Sequence, residues 1–353
     1  MKSTFFSILA LFLCSSFLSA QDQHFTQFFA SPLTLNPALT GLYQGRYRVS
    51  FIHRDQWPQA LDSPYSTFSA AADFRYHLNP NKRRYKDAFG VGMLFYTDRV
   101  SSVNFSTNQI MLSGAFHKAL DKGSSQTLSI GFQIGIAQRN ISYDELSFED
   151  EFNGEDGYTP GLTDERLPEN NFAFGDSQIG LNYSYAPEGG IGLFVGAAMH
   201  HISEPEQSFY LESTVDDPVQ VSSKLRRRYS GYINLRLPIG EGIEFSPRAL
   251  AYSQGPHLAI NAGANFRFLL NQDRGAALHL GGWIRPVQNE EDFSISSAIA
   301  LLGIEYSDFT VGFSYDLGLD QLPANWRQRN AFEISVTYLG HAEENEAVPC
   351  PKF

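Results

Sequence analysis

Beyond Leu18 this chain contains no apolar run long enough to cross a bilayer as a helix, yet apolar and polar residues alternate with a period of two along most of its length. Phe309, Val311, Phe313, Tyr315 and Leu317 fall on one face; Thr310, Gly312, Ser314 and Asp316 fall on the other. Phe332, Ile334, Val336 and Tyr338 alternate in the same way with Glu333, Ser335 and Thr337. Leu128 to Ala137 and Leu258 to Phe268 repeat the pattern, with Gly frequent on the polar face. A β-strand turns successive side chains to opposite sides, so each stretch reads as a strand with one greasy and one polar face. Further strands are expected over 46–57, 65–77, 89–98, 105–117, 177–186, 191–201, 228–238, 243–253, 277–285 and 293–306. The total is about fourteen, each near the length of a tilted transmembrane strand.

Two architectures use such strands. In a soluble sandwich the apolar face is a dry core; in a membrane barrel it meets lipid and the polar face lines the interior. The polar faces carry Arg48, Arg54, Arg236, Arg267, Asp316 and Glu333. A dry core does not hold that many ions, whereas a wet lumen does. Aromatic residues stand near many strand ends, among them Tyr47, Tyr65, Tyr76, Tyr96, Tyr229, Tyr252, Trp283, Tyr306 and Tyr338, as interfacial girdles would require. The connections sort as well. The longest two, 140–174 and 202–227, are odd in the count and fall on the outer side, and several of the shortest are even. The expected fold is all-β: a closed antiparallel transmembrane β-barrel over 46–340, because only helices and closed barrels satisfy their backbone in lipid.

The ends divide differently. Residues 1–20 have the layout of a secretory signal peptide, with Lys2, an apolar stretch and Ser19-Ala20 before an expected cut at Gln21. Residues 21–45 are read as a segment that either rests in the periplasm or packs inside the barrel as a plug, and 341–353 as a tail. Cleavage would leave Cys350 as the one cysteine and exclude an intrachain disulfide. A formal charge of −12 argues against a nucleic-acid partner.

Particular residues then strengthen the reading. Gln23-His24-Phe25-Thr26-Gln27-Phe28 is followed by Pro32-Leu33-Thr34-Leu35-Asn36-Pro37-Ala38-Leu39-Thr40-Gly41, and then by Arg54-Asp55-Gln56-Trp57-Pro58. Gln138-Arg139, Leu146-Ser147-Phe148, His200-His201, Arg228-Tyr229, Gln254-Gly255-Pro256 and the final Cys350-Pro351-Lys352-Phe353 continue the series. This ordered set resembles the PorP/SprF family of type IX secretion system membrane proteins of Bacteroidota over essentially the whole mature chain. The resemblance implies a non-enzymatic outer-membrane component. It would serve gliding motility, or the secretion and anchoring of large adhesin-like cargo with a type B C-terminal sorting domain. It also implies a periplasmic peptidoglycan-binding lipoprotein as partner. A diffusion channel or hydrophobic-substrate transporter is the alternative.

Candidate contact residues have bland readings beside the functional ones. Pro37 restricts Asn36 to extended backbone; the pair reads as turn chemistry, or as part of a plug that touches cargo. Trp57 reads as a lipid-interface anchor, and Arg54 and Asp55 as members of a lumen or rim charge network. Arg226, Arg227 and Arg228 suit either phosphates of lipopolysaccharide and acidic partners, or a rim that balances Asp216 and Asp217. Lys82, Arg83, Arg84 and Lys86 form a basic periplasmic turn, either solvated or docking a partner. The acidic run around Asp150 partly matches a calcium loop, but Pro160 stands where the closing carboxylate belongs, so a solvated loop is expected, with structural calcium as the alternative. His200 and His201 are expected to face opposite ways on a strand, with no two-histidine metal site. Ser203 follows them, but no catalytic motif surrounds it.

Overall fold

The computed structural model describes residues 24–340 except 59–63, 79–86, 101–103, 124, 144–145, 156, 158–162, 165–166, 210–223, 289–292 and 320–328. The expected leader, the basic turn at 82–86, Asp216 and Asp217, and the tail therefore lie outside the described residues.

Fourteen strands form one closed ring: β1 Tyr47–Gln56, β2 Tyr65–His77, β3 Ala88–Val100, β4 Phe105–Ala119, β5 Gln126–Asn140, β6 Asn171–Tyr185, β7 Gly192–His200, β8 Arg228–Pro238, β9 Ile243–Gln254, β10 His257–Asn271, β11 Ala276–Gln288, β12 Phe293–Tyr306, β13 Phe309–Gly318 and β14 Ala331–Gly340. Every neighbour is antiparallel, and β1 closes on β14 from Tyr47↔Gly340 to Gln56↔Ala331. Closure leaves no edge to satisfy in lipid. Pro286 lacks an N–H and sits where the β11–β12 register shifts, a place a proline tolerates.

Burial is inverted relative to a soluble protein. Leu112 and Ile136 are 62% and 63% exposed on the outer surface, while Ser129, Gln133, Arg54 and Glu333 are buried. The outer surface carries aromatic rings near the periplasmic strand ends, with Tyr76 stacked on Phe89 at 5.1 Å and Phe309 tilted against Tyr338 at 4.7 Å. Three rings expected in the girdle instead point inward. Trp283 packs on Phe28, Tyr96 on Phe25, and Tyr252 on His24. Parity decides this: Trp283 shares its face with His279 and Arg285, both buried.

The ring also places β6 differently from the expectation. The strand starts at Asn171, not 177, and pairs with β5 from Gln126↔Tyr185 to Asn140↔Asn171. Its outer third reverses the polarity pattern. Asn171, Ala173 and Gly175 are exposed there, while Phe172 and Phe174 turn to the half-buried side. Beyond the hydrocarbon layer the apolar side chains have nothing to gain outside, so the phase of the alternation changes within one strand.

Residues 24–43 have no strand character. A 3-10 turn at Phe28–Ala30, one α-turn at Pro32–Leu35 and a second 3-10 turn at Pro37–Leu39 compact the segment. Phe28, Leu35, Leu39 and Leu42 cluster with Tyr232, Leu250, Trp283 and Ile299 from β8, β9, β11 and β12. Leu33 clusters with Ala71, Leu94 and Met111 from β2, β3 and β4. The same short segment thus meets inward-facing side chains on opposite walls of the ring.

Candidate functional site

β1 turns Arg48, Ser50, Ile52 and Arg54 inward. The two arginines grip opposite ends of the N-terminal segment. At the periplasmic end, Arg48 makes a two-toothed contact with Asp73, Nε to Oδ1 at 3.0 Å and Nη2 to Oδ2 at 2.7 Å. Its Nη2 also donates to the Leu39 carbonyl at 3.0 Å, and its guanidinium lies over the Tyr43 ring at 4.7 Å. Asp73 accepts the Gly41 N–H at 2.7 Å, and Arg75 donates to the Gly41 carbonyl at 2.9 Å. His117 Nε2 lies 2.8 Å from the Thr40 carbonyl, so that nitrogen carries the proton and Nδ1 accepts from Ser129.

At the outer end, Arg54 is fully buried between β1, β13 and β14. It pairs with Glu333, donates to Asp316 at 3.1 Å and donates to Thr26 Oγ1 at 2.8 Å. Arg285 reaches the same Asp316 at 2.9 Å. Glu333 in turn accepts the N–H groups of Thr26 at 2.7 Å and Gln27 at 2.9 Å. Two acids and two guanidiniums therefore share a pocket with the segment's own backbone, which satisfies charges that would otherwise be costly to bury.

Between these clamps lies Asn36, buried with Pro37. Its Nδ2 donates to the Leu181 carbonyl of β6 at 2.9 Å and the Ala197 carbonyl of β7 at 3.2 Å, while Oδ1 caps the following turn through the Ala38 N–H at 2.8 Å. Two wall glycines admit this close approach. A Cβ on Gly131 would stand 2.3 Å from the Pro37 carbonyl carbon, and one on Gly180 would stand 1.9 Å from Asn36 Oδ1.

The segment separates two spaces. On the periplasmic side a small cavity of about 120 Å³ lies among Tyr43, Gln44, Arg48, Arg267 and Glu305. On the outer side a larger one of about 280 Å³ has His24, Phe25, Phe28 and Thr34 of the segment on its lining. Its walls carry Tyr65, Tyr96, Phe105, Phe174 and Tyr252, with Arg139, Arg228, Asp98 and Asp176 among them.

The expected contact residues are dispersed. Asn36 and Pro37 are buried in the segment and Arg54 in its outer clamp. Asp55 is not part of that charge network: one position further along the strand it faces outward, 3.1 Å from His53. Trp57 sits just past β1, edge-on to Tyr65 at 5.2 Å with the Arg329 guanidinium over its ring at 5.3 Å. Arg226 and Arg227 are exposed at the outer rim; Arg227 pairs with Glu204 at 3.3 Å, while Arg228 turns inward toward His200 and Tyr252. The two histidines do not face opposite ways. β7 ends at His200, and His201 takes a positive φ of 56°, so both rings are buried, 6.4 Å apart. His200 bonds Gln178 at 2.7 Å and His201 bonds Asp176 at 2.8 Å.

Outside the strands, Asp150 accepts from the Asp164 N–H at 2.6 Å and from Thr163 at 2.9 Å, and the first of these chiefly holds its carboxyl below the ordinary range. Glu151 bonds back to the Phe148 N–H at 3.0 Å. No group of three His, Cys, Asp or Glu among the described residues is placed to hold a metal ion.

The family model for the type IX secretion system membrane protein PorP/SprF matches residues 17–338. The chain belongs to this family. It is an outer-membrane β-barrel component of type IX secretion. No curated protein sequence matches the chain. Among solved structures, the TodX deltaS2S3 mutant monoaromatic hydrocarbon channel is similar at a TM-score of 0.50 and 12% identity, over 87% of this chain and 93% of that one. A FadL homologue of Pseudomonas aeruginosa is similar at 0.49 and 10% identity, over 87% and 93% of the two chains. At these identities the likeness concerns the fold alone. For this PorP/SprF barrel, sequence reasoning missed the partners of Asp316 and Glu333. Their inward parity was visible, but nothing in the N-terminal residues has a period that would assign them to a wall.

Proposed function

We propose that this barrel works by docking rather than by conduction. It engages specific large surface proteins, adhesin-like cargo with a type B C-terminal domain, during their secretion or anchoring. The observation that carries the reading is the N-terminal segment, tied at both ends by buried arginine–carboxylate clusters and contacting opposite walls. Such a segment acts as a plug, and a plugged barrel offers binding surfaces rather than a path. The exposed Arg226 and Arg227 add a basic rim on the outer side. On the periplasmic side, a peptidoglycan-binding lipoprotein of the same apparatus is the proposed partner, with the 82–86 turn as its contact.

Deleting the gene is expected to abolish surface display of one or a few adhesins while other type IX substrates still reach the surface. Normal display of every substrate would refute the docking role. A second reading, a transporter of hydrophobic molecules, is favoured by the aromatic outer cavity. Single-channel recording in planar bilayers separates the two, since a docked plug predicts near-silent membranes.

A further inference from the structure

The outer cavity has a composition that neither a water-filled lumen nor a lipid site requires. Polar side chains line this barrel elsewhere: Ser129 and Gln133 on β5, Asn182 and Ser184 on β6. Near the outer mouth β6 switches to an aromatic side chain while β5 brings a guanidinium beside it. Phe174 and Arg139 take the inward positions, and Phe105 of β4 joins them. The Arg139 guanidinium lies 5.8 Å from the Phe105 ring centre and 6.0 Å from that of Phe174. Across the cavity the Arg228 guanidinium lies 5.6 Å from Tyr252. Both charge signs are present: Asp98 accepts from Thr67 at 2.6 Å, and Asp176 accepts from Gln109 at 3.0 Å as well as from His201. The space is about 280 Å³, and the N-terminal segment stops it from below. That exceeds an engineered cavity of ~150 Å³ that holds a benzene ring.

We propose that this vestibule is a recognition pocket for a peptide segment bearing an aromatic side chain, entering from the outer side. The rings provide offset and edge-to-face partners for an aromatic group. The amides of Gln109 and Gln178, with guanidiniums and carboxylates beside them, match the donors and acceptors of a peptide backbone. A hydrocarbon or fatty acid would leave those polar groups facing an apolar chain. The inference deepens the docking reading and rests on it for the source of the peptide, but the pocket can be tested alone.

The probe is N-acetyl-Gly-(4-fluorophenylalanine)-Gly-amide, observed by fluorine NMR with the full mature chain in detergent micelles, against protein-free micelles as background. Protein-dependent binding is expected. It should weaken at least tenfold in Phe174→Ala and in Phe105→Ala, two independent walls. It should be unchanged in Thr310→Ala on the periplasmic cavity. Heat-modifiable gel mobility shows whether each variant is folded, and either folded wall variant suffices. Equal binding to wild type and wall variants overturns the proposal. So does binding of dodecanoate, lost in the same variants, without binding of the peptide; the pocket would then be a lipid or hydrocarbon site. Display of surface adhesins in cells carrying Phe174→Ala tells the two readings apart. Peptide binding lost with display intact refutes the cargo role and leaves the pocket standing. Display lost without any peptide binding to wild type refutes the pocket and leaves docking standing.

Discussion

Replacing Arg54 by leucine removes the centre of the outer clamp. Arg54 is 1% exposed and joins three parts of the molecule: β1, the N-terminal segment through Thr26, and the closing strands through Asp316 and Glu333. Breaking a buried ionic cluster by removing one member costs about 3–5 kcal/mol. The structure places this case at the low end. Glu333 keeps the N–H groups of Thr26 and Gln27, and Asp316 keeps Arg285 at 2.9 Å. A loss of about 3 kcal/mol is expected, roughly a hundredfold in the unfolding equilibrium. With guanidinium slopes of roughly 2–6 kcal/mol/M, the midpoint falls by roughly 0.5–1.5 M. The assay is guanidinium unfolding of the barrel in phospholipid vesicles, followed by tryptophan fluorescence, for which Trp283 against Phe28 is a buried reporter. The adjacent Asp55→Asn provides the control. Its carboxylate is on the outward face, so a change of less than about 0.5 kcal/mol is expected. The double variant Arg54→Leu/Glu333→Leu should lose less than the sum of its single variants, because they share one cluster. If Arg54→Leu lies within about 0.5 kcal/mol of wild type, or Asp55→Asn matches it, the clamp does not hold the segment.

Gly131→Ala drives a methyl group into the backbone of Pro37 and Ala38, which lie 2.3 and 2.4 Å from its position. Overpacking of this kind costs about 1–3 kcal/mol, and the displaced segment should convert near-silent bilayers into conducting ones. Asn36→Ala removes a buried side chain with two donors and one capping acceptor, with an expected loss of about 1–3 kcal/mol in the same vesicle assay. In the periplasmic turn, partial burial is the largest influence on Asp121 and pushes its carboxyl up. The N–H groups of Gln126, Ser125 and Gly123, with the Ser125 hydroxyl, outweigh it and hold the carboxyl below its ordinary range. A depressed native value means that the turn is held above the unfolded carboxyl's range and loosens as pH falls through the native one. Hydrogen exchange at the Gln126 amide should therefore lose protection on acidification below the usual carboxylate range in wild type, while Asp121→Asn shows no such step.

Most of the barrel was legible because a period of two marks strands, and the ions on their polar faces argued against a dry sandwich core. Tyr65–His77, Arg228–Pro238 and Phe293–Tyr306 have the bounds that the alternation predicts. The outer part of β6 was hidden for a physical reason. Alternation reports polarity relative to the local solvent, and Phe172 and Phe174 lie where that solvent changes from hydrocarbon to water. His201 escaped because one positive φ reverses the parity on which the argument stood. The inward direction of Arg54, Asp316 and Glu333 was legible from parity, but the wet lumen expected around them is instead a buried ion cluster closed by the N-terminal segment. Thr26 meets partners some three hundred positions away, and no local pattern encodes such a meeting. Trp283, Tyr96 and Tyr252 show the same limit: an aromatic near a strand end serves equally well as a lipid anchor or as a wall of an internal space.

The seat for Thr26 and Gln27 has consequences for biogenesis. Its acids belong to β13 and β14, so the earliest described residues of the polypeptide wait for the latest ones before their hydrogen bonds can form. Loop closure over that span is entropically slow. Apolar side chains such as Phe25, Phe28 and Leu33 must meanwhile be kept from sticking elsewhere. Assembly of this protein should therefore depend on a holding chaperone until its final hairpin arrives, and truncations lacking β14 should strand the amino-terminal stretch unprotected against protease.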